Sequence, residues 1–135
     1  KAAVGSLSLD AVVGRQAWDT LADVATAEKA GKLAPIVLIH TGNNGIISPK
    51  QLAATLASLA SRTKVIVMND HVDRTWQGPN NRTIASMTGH YPNVVIVDWN
   101  AAAAAHPSWF GPDGIHVNPS GAQGYAALVA AAIAS

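Results

Sequence analysis

Asp113 and His116 stand three residues apart in Pro112-Asp113-Gly114-Ile115-His116, just after Trp109-Phe110-Gly111. One short Pro/Gly turn can bring such a carboxylate and imidazole to a single point. The Asp then accepts from one ring nitrogen while the other nitrogen faces a hydroxyl, the orienting half of a Ser-His-Asp triad. The same residues also suit an Asx-turn followed by a surface histidine, so the pair alone does not decide the matter. A second candidate is Gly42-Asn43-Asn44-Gly45. Asn-Gly is a strong turn dipeptide. The loop could equally supply a side-chain amide and backbone N–H groups to a developing oxyanion, each such donor being worth roughly 3–4 kcal/mol of barrier. Gly14 could add one more N–H, with no Cβ in the way of a substrate; a plain strand-end turn explains it as well.

Apolar runs and helical periodicities alternate along the chain. The patterns predict strands at residues 7–13, 35–40, 64–68 and 93–98, with helices over 15–29, 48–59, about 81–88 and about 120–134. Gly31 reads as a C-cap, and Ser48 and Ser120 as N-caps. A long polar loop is expected from Asn69 to Pro79. Buried strands separated by helices imply an α/β domain with a parallel sheet and helices on both faces. Ligands then bind at the carboxyl ends of the strands. Five polar clusters fall at that edge: Gly14-Arg15-Gln16, His40 to Gly45, Asn69-Asp70-His71, Asp98-Trp99-Asn100, and the Asp113/His116 turn.

Composition narrows the function classes. The 135 residues suffice for one domain with one core, and 49% are hydrophobic against 13% charged. A formal charge of +1 with no block of like charge leaves no electrostatic footprint for nucleic acid. There is no cysteine, hence no disulfide, thiolate metal site or Cys nucleophile. His40 reads as the polar end of a buried strand, and His71, His90 and His106 as loop residues. Pairs such as Asp70/His71 lack companion ligands, so neither a metal nor another cofactor is expected. Ala101 to Ala105 is far too short to span a bilayer.

Gly14 after a strand, Gly42-x-Asn44 after the next, and Asp113-x-x-His116 before a final helix resemble blocks II, III and V of SGNH hydrolases. Val13-Gly14-Arg15-Gln16, His40-Thr41-Gly42-Asn43-Asn44-Gly45, Arg74-Thr75-Trp76, Val97-Asp98-Trp99 and Asp113-Gly114-Ile115-His116 resemble, more narrowly, the extracytoplasmic SGNH domains attached to acyltransferase-3 membrane proteins. Peptidoglycan and polysaccharide O-acetyltransferases are members. The resemblance runs from about Ser8 to Ala134 and implies a three-layer α/β/α domain with a flavodoxin-like parallel sheet. It implies His116 as general base and acid, Asp113 as its orienting partner, and Asn44 and Gly14 as oxyanion-hole donors. Arg15, Gln16, Arg74 and Trp76 match positions that line the site. Arg74 pairing with Asp70 or Asp73, and Trp76 packing in the core, are equally good readings. The implied partners are an acyl donor and a carbohydrate acceptor, with an acyltransferase-3 membrane domain in the same polypeptide and a location outside the cytoplasmic membrane.

One family feature has no match. Block I, a Gly-Asp-Ser turn after the first strand, carries the nucleophile and one oxyanion N–H. Val4-Gly5-Ser6-Leu7-Ser8 lies directly before the strand leading to Gly14 and leaves no room for the intervening helix. Ser6 and Ser8 are therefore expected to be ordinary residues, and Lys1 to Val4 the tail of a helix. On this reading the domain is N-terminally incomplete, its first strand and nucleophile lie upstream of residue 1, and the chain alone is inactive. The other function class is a non-catalytic carbohydrate-binding module with a groove lined by Trp76, Trp99 and Trp109.

Overall fold

The computed structural model of the chain describes residues 5–135; the expected helix tail at 1–4 lies outside them. The elements run α1 (Ala17–Lys29), β1 (Ile36–His40), α2 (Pro49–Ser58), β2 (Lys64–Met68), α3 (Gln77–Ala85), β3 (Val94–Val97), α4 (Trp99–Ala105) and α5 (Pro119–Ala134). A 3-10 turn spans Pro107–Trp109. The strands form a parallel sheet in the order β1-β2-β3, with Val37 beside Val65 and Val65 beside Val94.

Side-chain alternation on the central strand divides the molecule into three layers. Val65 and Val67 join Leu21 of α1 and Leu52 and Leu56 of α2 in one core. Ile66 and Met68 point the other way, to Trp99 and Ala103 of α4 and Ala132 of α5. A strand buried on both faces has no use for polar residues, which is why residues 65–68 are uninterruptedly apolar. On α1, Leu21 is buried and Val24 packs against the core, whereas Trp18 is 61% exposed.

Local chemistry sets the element ends. Ser48 accepts from the Gln51 N–H at 3.2 Å, and Pro49 follows at N1. Gly31, at φ 68°, ends α1 with the paired bonds Gly31 N–H to Glu28 O and Lys32 N–H to Ala27 O, a Schellman motif. The last helix is capped by Asn118 and not by Ser120. Asn118 accepts from the Gly121 N–H at 3.0 Å, and Pro119, which cannot donate, takes the first helical position. α3 starts at Gln77 instead of Asn81, which shortens the expected loop. Helix α4 was not expected: its alanine run carries no amphipathic period, and the Asp98 cap on the Ala101 N–H (2.9 Å) starts it.

Residues 7–13 are not a strand. Leu7, Leu9, Val12 and Val13 are 59–104% exposed, and the segment belongs to no described ladder. A strand is stable only beside a partner. Among the described residues β1 is an edge of the sheet, and its Ile36 and Leu38 stay 38% and 41% exposed. Arg15 anchors the segment instead, donating to Asp10 Oδ1 (3.0 Å) and to Asp23 Oδ2 on α1 (3.1 Å).

Candidate active site

The carboxyl ends of the strands lead directly into polar residues. His40 ends β1 and leads into Thr41 to Ile47; Asn69-Asp70-His71 follow β2; Asp98 follows β3. Asn69 ties two of these exits together. Its Nδ2 donates to Asp98 Oδ1 and its Oδ1 accepts from the Asn100 N–H, both at 2.8 Å. His71 Nδ1 donates to Asn100 Oδ1 at 2.8 Å, and its ring packs on Phe110, centroids 5.1 Å apart.

Phe110 in turn closes the Asp113/His116 turn through an antiparallel bridge to Val117. Inside the turn, Asp113 Oδ1 accepts from the backbone N–H of Ile115 (2.9 Å) and of His116 (3.0 Å). Its Oδ2 accepts from His116 Nδ1 at 2.5 Å. The His116 hydrogen bond, followed by the two backbone donors, holds the Asp113 carboxyl well below the usual carboxylate range. A carboxylate there can only accept, so Nδ1 carries a proton, and in the neutral ring the free lone pair lies on Nε2. Both the Asx-turn and the Asp–His pair anticipated from sequence are therefore present, built from the same carboxylate. The His116 side chain is 86% exposed, and Asp113 is its one hydrogen-bond partner among the described residues.

The other candidates gather at β1. Arg15, His40, Thr41, Gly42, Asn43 and Asn44 line a cleft of about 180 Å³, to which Asp10 to Val12 contribute a wall. Gln16, the N-cap position of α1, packs its amide against Gly45, where a Cβ would overlap it. Gly14 is exposed at φ 76°, one residue before Arg15. Asp113 and His116 are not among the cleft residues, so the described residues form two half-sites. Arg74 and Trp76 lie outside the cleft at the start of α3. Arg74 donates to the Asp73 carbonyl (2.7 Å), and Trp76 is half-buried with its indole N–H unpartnered among the described residues. Asp70 is fully buried, so no surface ion pair with Arg74 exists.

Two residues sit beneath the cleft: Asn80, which sequence reasoning missed, and Asp70, which it placed at this edge without a role under the Gly42 loop. Asn80 of α3 is fully buried and bonds the Gly42–Ile47 loop at three backbone atoms. Asp70 sits against Gly42, and burial pushes its carboxyl up to about 7. One polar residue in a polar stretch carries no periodic signal, so nothing in the sequence marked Asn80 as buried. Beside Asp70, burial lowers His40 to about 4, and its Nδ1 is 2.9 Å from the Tyr125 hydroxyl of α5. Among the described residues no group of histidines and carboxylates could hold a metal ion, and no helix is long and apolar enough to cross a membrane.

No family model matches the chain. It is 33% identical over 129 residues to the peptidoglycan O-acetyltransferase OatA of Listeria monocytogenes, and 31% identical over 130 residues to YrhL of Bacillus subtilis, a candidate peptidoglycan O-acetyltransferase. Each match covers 96% of this chain. A candidate O-acetyltransferase of Staphylococcus aureus is 32% identical over 122 residues, 90% of the chain. The chain spans about one fifth of the length of each of these proteins. The similarity thus takes in nearly all of this chain and one fifth of each of these relatives.

Proposed function

We propose that this chain supplies the acid-base pair and the anion-stabilising loop of a serine-dependent O-acyl transfer site of SGNH type. The transferred group is proposed to be acetyl and the acceptor a cell-envelope carbohydrate. The observation that carries the reading is the Asp113–His116 pair, with the carboxylate locked by two backbone N–H groups and the imidazole held as the Nδ1–H tautomer. A binding surface has no need of an oriented base. The aromatic alternative is weaker. Trp99 is buried, and one face of Trp109 is covered by the stacked His106 ring, centroids 3.9 Å apart.

In the proposed cycle a serine hydroxyl attacks the carbonyl carbon of an acyl ester as His116 Nε2 takes its proton. The carbonyl oxygen becomes an oxyanion, stabilised by the Asn44 amide and the Gly14 N–H. Collapse of this intermediate breaks the ester C–O bond, and His116 returns the proton to the departing alkoxide. A sugar hydroxyl then attacks the acyl-serine by the reverse sequence, restoring the free serine. Arg15, Gln16, Arg74 and Trp76 are proposed to line the path of the donor or the sugar. No described serine is hydrogen-bonded to His116, and the nucleophile is proposed to come from a Gly-Asp-Ser turn beside β1. That strand-turn would also cover Ile36 and Leu38 and bring the two half-sites together. An extracytoplasmic location and linkage to a membrane acyltransferase domain belong to the same proposal.

The test joins residues 1–135 to a preceding strand that ends in a Gly-Asp-Ser turn and measures p-nitrophenyl acetate turnover. Residues 1–135 alone are expected to be inactive. The extended protein is expected to turn over, and His116→Ala to cost about 10³-fold or more. Turnover by residues 1–135 that is abolished by Ser6→Ala or Ser8→Ala would place the nucleophile in this chain. Activity of the extended protein indifferent to His116 would remove the enzyme reading.

A further inference from the structure

The Gly42–Gly45 loop rests on a polar floor that the proposed cycle does not use. Asn80 Nδ2 donates to the carbonyls of Gly42 (3.2 Å) and Gly45 (2.9 Å), while Oδ1 accepts from the Ile47 N–H (2.8 Å). One buried amide therefore sets both ends of the loop and its exit toward α2. The same Nδ2 is 3.3 Å from Asp70 Oδ2, which lies so close to Gly42 that any Cβ there would overlap it. Asn81 clamps the Asp70 backbone, accepting from its N–H and donating to its carbonyl, both at 2.8 Å. Asp70 Oδ1 has no hydrogen-bond partner among the described residues, and His40 Nε2 stands 3.8 Å away.

The groups facing Asp70 are His40 from the end of β1, Asn80 and Asn81 from α3, and the Gly42 backbone. Tyr125 of α5 lies behind His40. Among the described residues no cation compensates the carboxyl, because burial also disfavours a charged His40. An ionised Asp70 would be a desolvated negative charge beneath the loop that must receive an oxyanion, where low dielectric magnifies repulsion.

We propose that Asn80 and a protonated Asp70 are the positioning residues of the anion-stabilising loop: Asn80 sets its shape, and Asp70 keeps its floor uncharged while the oxyanion forms above it. The proposal rests on the oxyanion role of Asn44 given above. A carboxylic acid kept neutral by its surroundings has a precedent in ketosteroid isomerase, where the acid donates to the oxyanion directly and does not act through a loop.

The test follows the Asp70 carboxyl carbon and the Gly42, Asn44 and Gly45 amides by NMR as pH is raised. The Asp70 carbon is expected to titrate near 7, with the loop amides shifting at the same midpoint and Asp70→Asn abolishing their transition. In the catalytically complete polypeptide, Asn80→Asp is expected to lower kcat by about tenfold or more with KM within about threefold. Asp70→Asn is expected to raise the ratio of kcat at pH 8.5 to kcat at pH 6 by about fivefold. Titration of Asp70 near 4, or loop amides indifferent to it, would overturn the proposal. If Asn80→Asp does not fold, the Asp70→Asn titration decides. Loss of kcat in Asn44→Ala beside a loop that ignores Asp70 defeats this inference alone. Unchanged kcat in Asn44→Ala defeats the oxyanion reading and the catalytic part of this inference with it.

Discussion

A single carboxylate does two jobs in the Asp113 turn, and the division between its oxygens explains how an exposed pair keeps its geometry. Oδ1 is used by the backbone and cannot rotate away without losing two N–H bonds, so Oδ2 has a fixed direction in which to hold His116. Asp113→Asn keeps the size but can present an N–H to Nδ1, which favours the wrong tautomer. In the catalytically complete protein it is expected to cost about 10²–10⁴-fold in kcat, with little change in melting temperature because the turn is exposed. Gly42 contrasts with it. At φ 120° and against the Asp70 carboxyl, it has no room for a side chain. Gly42→Ala is expected to destabilise the chain by roughly 2–4 kcal/mol, read by urea unfolding, because strain and overlap add.

Elements differ in how firmly they hold the site. β2 is buried on both faces and is the rigid member, and its exit is bonded to that of β3 through Asn69. α5 is held from outside its own chemistry: Gly121 and Gly124 leave space that Trp109 fills, and Asn118 donates to the Ser108 carbonyl at 2.6 Å while capping the helix. Asn118→Ala removes the cap and that bond together and is expected to cost roughly 1–2 kcal/mol in urea unfolding, whereas Ser120→Ala is expected to be near neutral. Equal losses for the two would show that the cap had been placed one turn-start too early. In the first core, Leu56→Ala opens a cavity between α2 and β2 and is expected to cost about 2–5 kcal/mol.

At the scale of the whole molecule, the buried Asp70 and His40 give stability opposite dependences on pH. Asp70 is raised to about 7, so the folded chain binds its proton more tightly than the unfolded chain. Its favourable contribution is complete below about 4 and lost as pH rises through 7. His40 is lowered to about 4, so its neutral form is favoured by folding, and stability is lost as pH falls from 6.5 toward 4. The two slopes oppose each other, and Asp70→Asn removes one. Relative to wild type, the variant is expected to gain stability as pH rises from about 4 to 7, reaching a few kcal/mol, and to gain no more above that. Chemical denaturation at pH 4.5, 6 and 8 checks the sign; a constant difference would show that Asp70 is ionised throughout. The alternation of apolar runs with helical periods was enough for the sequence alone to determine a parallel α/β domain and to place strands at residues 35–40, 64–68 and 93–98, within one residue of β1, β2 and β3, because the interior of such a sheet admits little but apolar residues. The Asp113/His116 contact was legible for a related reason, since three residues of turn leave the pair little choice. Residues 7–13 misled because alternation measures fitness for a sheet, whereas pairing depends on a neighbour that no local pattern contains. Asn80, Asp70 and the separation of the two half-sites were decided by tertiary structure, because a buried polar group is set by partners 10 to 38 residues away in the chain and its meaning exists only once they meet.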